Sequence, residues 1–335
     1  AERANLSNVE QSALVEAVSA YTGVIRAVAV LKLNQNNESV LQRQLDYTRD
    51  RFRVGELTKT DVAQAEARHA GAVASRISAE GDLKVAYAVY QKVVGKLPEK
   101  IFEPEVPAAK LPQTLDDALE IALKSNPSVL AAEKQAKGAR SAVTVAQSGY
   151  YPTVDLQAGY SNMKAGAHGS ATYQGNTIRT GRAREEDTNV MLVMDVPLYR
   201  SGSTVSKVRE SKYTARQAEI NINTIKRDAI RSTTQAWENY QATRASLSSL
   251  EEQVKASMLA LDGVKAEEQA GARTVLDVLN AEQELLDARV SVVTAKKSLI
   301  DASYQLIASM GLMTPKGLGL DIARYRKAPE KTVEQ

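Results

Sequence analysis

The sequence predicts a mainly α chain with one β-hairpin, built from long antiparallel helical hairpins of α-barrel or coiled-coil type in two internal repeats. Three observations carry this. The stretch Gly271-Ala-Arg-Thr-Val-Leu-Asp277-Val-Leu-Asn280 repeats the earlier Gly55-Glu-Leu-Thr-Lys-Thr-Asp61-Val-Ala-Gln64 at a constant offset of 216 positions, Gly55 to Gly271. The register holds without a gap: Ala20-Tyr21 answers Ala236-Trp237, Leu45-Asp46 answers Leu261-Asp262, Ala65-Glu66 answers Ala281-Glu282, and Gly95 answers Gly311, as in a duplication. Long segments free of helix breakers flank each motif, and the apolar period drops to two residues only within 150–199.

From Asn8 to Arg53 there is one Gly and no Pro, enough for roughly 65–70 Å of helix. Gly55 then ends that helix at a left-handed C′ position and a Thr opens the return helix, read as about Thr60–Val94. Pro98, Pro104, Pro107 and Pro112 mark a connector. Thr114-Leu-Asp-Asp opens a short helix with a capping Thr and acidic first turn. Asn126-Pro127 breaks it, and a further helix runs to about Ser148. Val154, Leu156, Ala158 and Tyr160 alternate with Thr153, Asp155, Gln157 and Gly159. Val190, Leu192, Met194, Val196 and Leu198 alternate with Asn189, Met191, Val193, Asp195 and Pro197. Runs of about 10–11 residues fit a membrane-spanning β-strand, and equally a soluble hairpin with one buried face. The Gly-, Ser-, Thr- and Arg-rich segment 161–188 reads as an exposed loop.

Thr204–Asp262 contains neither Pro nor Gly; continued to Ala270 it predicts about 100 Å of helix. After the second motif, apolar pairs recur every seventh residue, from Val278-Leu279 to Leu306-Ile307. Ala281, Ala288, Ala295 and Ala302 keep the same step, as do Ala65, Ala72, Ala79 and Ala86. A strict seven-residue repeat calls for left-handed supercoiling. The expected organisation is repeat 1 at 1–112, a long helical hairpin. Repeat 2 at 113–319 holds a helix, the β-hairpin 150–199 and a second long helical hairpin. A disordered tail follows at 320–335. The counterpart of Leu115–Tyr199 in the first repeat would precede residue 1, so a missing helix and β-hairpin are expected there.

Composition excludes several classes. Lys and Arg number 43 against 40 Asp and Glu, for a net charge of +3, with both signs interspersed and no basic block, so no nucleic-acid partner is expected. There are no cysteines and two histidines, His69 and His168. Disulfides, metal sites and cofactors are therefore not expected. Nor is an enzyme: there is no nucleophile–base set and no Gly-rich phosphate loop. Without a run of 18 apolar residues, no transmembrane helix is expected either.

The residues that remain resemble the TolC family of outer-membrane efflux and secretion ducts over essentially the whole chain. The resemblance rests on Gln44-Leu45, Arg51-Phe52-x-Val54-Gly55, Thr60-Asp61-Val62, Gly149-x2-Pro152-Thr-Val-Asp-Leu156, Val196-Pro197-Leu-Tyr199-x2-Gly202 and Gly271-x-Arg-Thr-x2-Asp277-Val-Leu279. It implies a homotrimer whose strands join a transmembrane β-barrel in outer-membrane lipid, with Val190, Leu192, Met194 and Val196 facing lipid. It implies an α-helical barrel in the periplasm and export of drugs, toxins or proteins. The implied partners are a periplasmic adaptor (a membrane fusion protein) and an inner-membrane efflux pump or ABC transporter. The adaptor would meet the tips at Gly55, Glu56, Leu57, Gly271 and Ala272. The family's acidic constriction maps to Asp277 and to Asn280, a departure that halves the formal charge. Its gate lock maps to Arg273 with Asp61 and Thr60, while Glu268 stands where the type member has an assisting tyrosine. The other class compatible with such helices is a soluble coiled-coil scaffold or membrane-shaping protein without channel activity. Lipid-facing strands would separate the two.

Overall fold

The computed structural model describes residues 2–98, 101–104, 106–107, 111–165, 170–179, 183–315 and 317–319. The predicted tail at 320–335 lies outside them, as does His168. The elements run α1 (Glu2–Arg53), α2 (Lys59–Val94), α3 (Leu115–Ser125), α4 (Pro127–Ser148), β1 (Thr153–Ala165), β2 (Ser170–Tyr173), β3 (Asn176–Arg179), β4 (Ala183–Asp195), α5 (Ser203–Gln269) and α6 (Val275–Ser309). Two compact units result, one of Ala1–Glu133 with Ile222–Gln335 and one of Lys134–Asn221. They cut across the sequence repeats.

In the first unit, α1 packs against both α2 and α6. The buried residues of α2 are Ala65, Ala72 and Ala79, one per seven-residue step. Methyl side chains let two backbones approach closely, so the alanine step is the seam on which the first hairpin closes. α6 buries Val278, Leu279, Leu285, Ala288, Ile300, Ala302, Leu306 and Ile307, which takes in the first and last predicted heptad pairs whole and one member each of two between them. One apolar cluster joins Leu41 of α1, Ala72 of α2, and Val275 and Leu279 of α6. A larger one gathers Ala118 of α3, Ala236 and Tyr240 of α5, and Leu306, Ile307, Met310 and Met313. The connector is anchored as well: Tyr21 Oη donates to the Phe102 carbonyl at 2.9 Å and accepts from its N–H at 2.8 Å.

One helix bears on the expectation of no transmembrane helix. α1 contains an eighteen-residue window of mean hydropathy 1.6, apolar enough on average to cross a membrane. Abundant Ala and Val raise the average without forming an unbroken apolar run. Polar groups of this helix bind protein instead: Thr22 Oγ1, 2 % exposed as a residue, donates to Asp301 of α6 at 2.7 Å.

The end of α6 docks on the end of α3. Asn126 caps α3 and turns its side chain to two neighbours, Nδ2 donating to the Ser309 carbonyl and Oδ1 accepting from the Ser128 N–H, both at 2.9 Å. Gly311 sits at φ 82°, and a Cβ there would lie 2.4 Å from the Ser125 carbonyl oxygen and 2.7 Å from Asn126 Cα.

In the second unit β1 pairs antiparallel with β4, from Thr153↔Asp195 to Ala165↔Ala183. Directly opposed residues share a face. Val154/Met194, Leu156/Leu192 and Ala158/Val190 therefore lie on one side, and Asp155/Val193, Gln157/Met191 and Gly159/Asn189 on the other. The predicted alternation is present, but its limits differ. The strands run well into the stretch expected to be loop, and β2 pairs with β3 across Gln174-Gly175, both at positive φ. Such a two-residue turn keeps the strand twist, so turn-forming composition here makes a hairpin rather than a coil. Residues 166–169 and 180–182 of that stretch lie outside the described residues. Val196, expected on the lipid-facing strand, lies just past β4, as does Leu198. The next pair would need Pro152, which has no N–H to give the ladder.

The two repeat-related glycines separate conformation from crowding. Gly95, at φ 85°, has nothing within 4 Å of its would-be Cβ. Gly95→Ala is expected to cost about 1–2 kcal/mol, the left-handed penalty alone. Gly311→Ala should cost clearly more, because Ser125 and Asn126 must also move. Urea denaturation of the two variants, compared for midpoint at equal slope, checks this; equal losses would show that the α3–α6 junction yields freely.

Candidate functional site

The two helix reversals are built alike. At the first, Gly55 at φ 85° lets its own N–H reach the Phe52 carbonyl and the Glu56 N–H reach Arg51, each at 3.0 Å. At the second, Gly271 at φ 78° does the same, with 2.9 Å to Glu268 and 2.8 Å from Ala272 to Glu267. These are Schellman closures, which satisfy carbonyls the helix leaves unpaired. The next helix starts with a capping box each time. Thr58 Oγ1 accepts from the Asp61 N–H, and Asp61 Oδ2 accepts from the Thr58 N–H at 2.8 Å and hydroxyl at 2.7 Å. Thr274 and Asp277 repeat the arrangement at 3.0 and 2.7 Å. The cap thus falls on Thr58, two residues before the expected Thr60, which is exposed in the first turn of α2. An ion pair also recurs at equivalent places, Arg49–Glu66 at 2.6 Å and Lys265–Glu282 at 2.5 Å.

Asp61 and Asp277 therefore have a local task, closing the first turn of a helix. Arg273 turns back to Glu267 on its own hairpin at 2.8 Å. The structure brings it near Asp277, which contributes to raising its pKa after Glu267, and does not pair it with Asp61. Gly55, Glu56, Gly271 and Ala272 are exposed. Leu57 is not: it is half-buried against the cluster of Leu41, Ala72, Val275 and Leu279. A leucine just before an N-cap packs inward rather than into solvent.

Two contacts between the hairpins escape any reading by sequence spacing. Arg51, at the end of α1, donates through Nε to Glu56 at 2.9 Å and through Nη1 to Glu268 of α5 at 2.5 Å. Its guanidinium lies 5.4 Å from the Tyr47 ring centre, within cation–π range. Glu268 is only 6 % exposed and Arg51 is its partner; a carboxylate buried without one is costly. The glutamate at the tyrosine position thus makes its own link between hairpins. The second contact joins Arg68 of α2 to Asn280 of α6, Nη2 to Oδ1, at 2.6 Å. Neither pair is repeat-related, so the duplication cannot point to them.

Among the described residues no cluster of His, Cys, Asp or Glu could hold a metal ion. The Asp277 carboxyl is held below the usual carboxylate range, first by the Thr274 N–H, then by the Thr274 hydroxyl, with Arg273 adding less. A depressed folded-state pKa means that its stabilisation is fully present above the unfolded value, about 3.9, and is lost as pH falls through the folded pKa. In an NMR titration Asp277 should ionise below an unstructured aspartate, and Thr274→Val should move it part of the way back. A midpoint unchanged by that substitution would remove the hydroxyl as a cause.

Comparison with known proteins follows the same lines. The family model described as outer membrane efflux protein matches residues 118–312. The outer membrane efflux protein BepC of Brucella suis biovar 1 is 36 % identical over 326 residues, which cover 97 % of this chain and 69 % of BepC. The outer membrane protein TolC of Escherichia coli K12 is 28 % identical over 84 % of this chain, which spans 59 % of TolC's length. Among solved structures, CusC aligns with a TM-score of 0.73 at 16 % identity over 92 % of this chain and 70 % of CusC, a likeness of fold. These relatives are named as membrane efflux and channel proteins rather than enzymes. With its matched span, its paired tips and its β-hairpin in the order already described, the chain belongs to the outer membrane efflux protein family.

Proposed function

We propose that the chain is one protomer of a trimeric channel-tunnel in the outer membrane, extending into the periplasm. It would export drugs or secreted proteins with an inner-membrane transporter and a periplasmic adaptor. One observation carries the membrane reading. The β1/β4 face of Val154, Leu156, Val190, Leu192 and Met194 is 59–72 % exposed within the chain, while Asp155, Gln157, Asn189 and Asp195 occupy the other face. An apolar outer band over a polar interior is the pattern of a transmembrane barrel. Closure with further strands would remove the open edges that lipid does not tolerate.

In this reading the exposed tip residues Gly55, Glu56, Gly271 and Ala272 meet the adaptor, and Leu57 supports them from within. Asp277 and Asn280, three residues apart on α6, share a helix face and line the constriction. Repeats 1–112 and 113–319 are the duplicated units. The lock is an exchange: Arg273 leaves Glu267 for Asp61 and Thr60 of a neighbouring protomer, and the Arg51–Glu268 pair holds each protomer's two hairpins together meanwhile.

Leu192→Arg should destabilise the membrane-folded protein by about 2–4 kcal/mol, and Gln157→Arg, one pair along on the opposite face, by much less. Equal tolerance in an outer-membrane folding assay would overturn the lipid assignment. In planar bilayers the full-length channel should conduct more with Arg273→Ser, and also with Glu268→Gln, than without either change. Wild-type conductance in the first variant would exclude the exchange, and in the second the internal clasp.

A further inference from the structure

Asn280 is not simply a constriction position that lacks charge. Its Oδ1 accepts a hydrogen bond from Arg68 Nη2 at 2.6 Å, across the gap between α2 and α6. Arg68 is half-buried and Asn280 exposed, so the guanidinium reaches outward along α2 to the asparagine. Asp277 lies one turn before Asn280 on the same face of α6. At this level each chain therefore presents the Asp277 carboxylate with Arg273 beside it and the Asn280 amide with the Arg68 guanidinium on it.

We propose that Arg68 is a selectivity-determining residue of the constriction, its guanidinium adding a positive charge at Asn280, one turn along α6 from the Asp277 carboxylate. This rests on the reading that Asp277 and Asn280 line the narrow end. A ring carrying both signs gives a weaker field than an all-acidic one. Ring charge sets which ions pass and which bind, so the channel should discriminate weakly between cations and anions. It should also resist block by multivalent cations and let anionic solutes through. The asparagine is then part of the device. A carboxylate at 280 would pair with Arg68 and hold its charge in an ion pair, whereas an amide accepts one hydrogen bond and leaves the positive charge in the field.

The test is reversal potential in a potassium chloride gradient, with the full-length protein in planar bilayers and hexamminecobalt added as the trivalent probe. Arg68→Gln should raise the potassium-to-chloride permeability ratio about two- to fivefold and confer block by the probe. Arg68→Lys, which keeps the charge, should retain wild-type selectivity. Asp277→Asn should shift the ratio toward chloride. If Arg68→Gln leaves the ratio unchanged while Asp277→Asn shifts it, Arg68 does not face the pathway and the proposal falls, with the constriction reading intact. If Arg68→Lys behaves as Arg68→Gln, the role is structural and the proposal falls as well. If neither Arg68→Gln nor Asp277→Asn shifts the ratio, the constriction lies elsewhere and both readings fall together.

Discussion

The packing of α1 between α2 and α6 is the contact on which the first unit depends. A helix of 52 residues cannot bury a core of its own; it can only lend a stripe to each neighbour. On one side the stripe meets the alanine step of α2, whose small side chains set the closeness of the pair. On the other it meets α6, where Val275 and Leu279 share a cluster with Leu41. The tips inherit this arrangement. Arg51 can reach Glu268, and Arg68 can reach Asn280, only because α1 and α2 are held beside α5 and α6 along these seams. The buried apolar contacts are without direction, whereas the two arginine contacts fix one hairpin against the other at named atoms.

Much of the fold was legible because its signals are local. Pro and Gly punctuate, a Thr three residues before an Asp makes a cap, and an alanine every seventh residue makes a seam; each acts over a few residues. The duplication gave each of these signals a second reading, which is why both tips come out alike. What was not legible acts over distance. Nothing near Glu268 in the chain says that Arg51 will meet it, 217 residues away. That Leu57 packs under the tip rather than on it becomes legible only when the cap is placed at Thr58, which sets Leu57 just before it. The strand limits were missed for a different reason. Gly, Ser and Thr mark a turn and a polar strand equally well, and only the pairing of β1 with β4 tells them apart.

The duplicated tips have kept some of their chemistry and changed the rest. The left-handed glycine, the capping box and the Arg49–Glu66 or Lys265–Glu282 bridge recur because each tip must reverse a helix within a few residues. The charges around them do not. Arg51 corresponds to Glu267 and Arg68 to Glu284, so the two copies of one backbone device carry opposite charge at these positions. The Arg51–Glu268 pair likewise joins positions at which the copies differ, since Glu268 corresponds to Phe52, and it is laid over reversal geometry that both copies keep.

The uncovered face of the β-hairpin bears on the order of events. The helical unit collects its buried apolar side chains internally, through clusters that join α1, α2, α3, α5 and α6, while Val9, Val85 and Leu259 stay exposed within the chain. The face bearing Leu156 and Leu192 gains nothing in water, because no part of its own unit covers it. Its share of the folding free energy arrives only at an interface, supplied by lipid or by other strands. Maturation therefore divides into a stage in which the helical clusters form within the chain and an interfacial stage that the chain cannot complete by itself. Between the two, the exposed strands need shielding from one another.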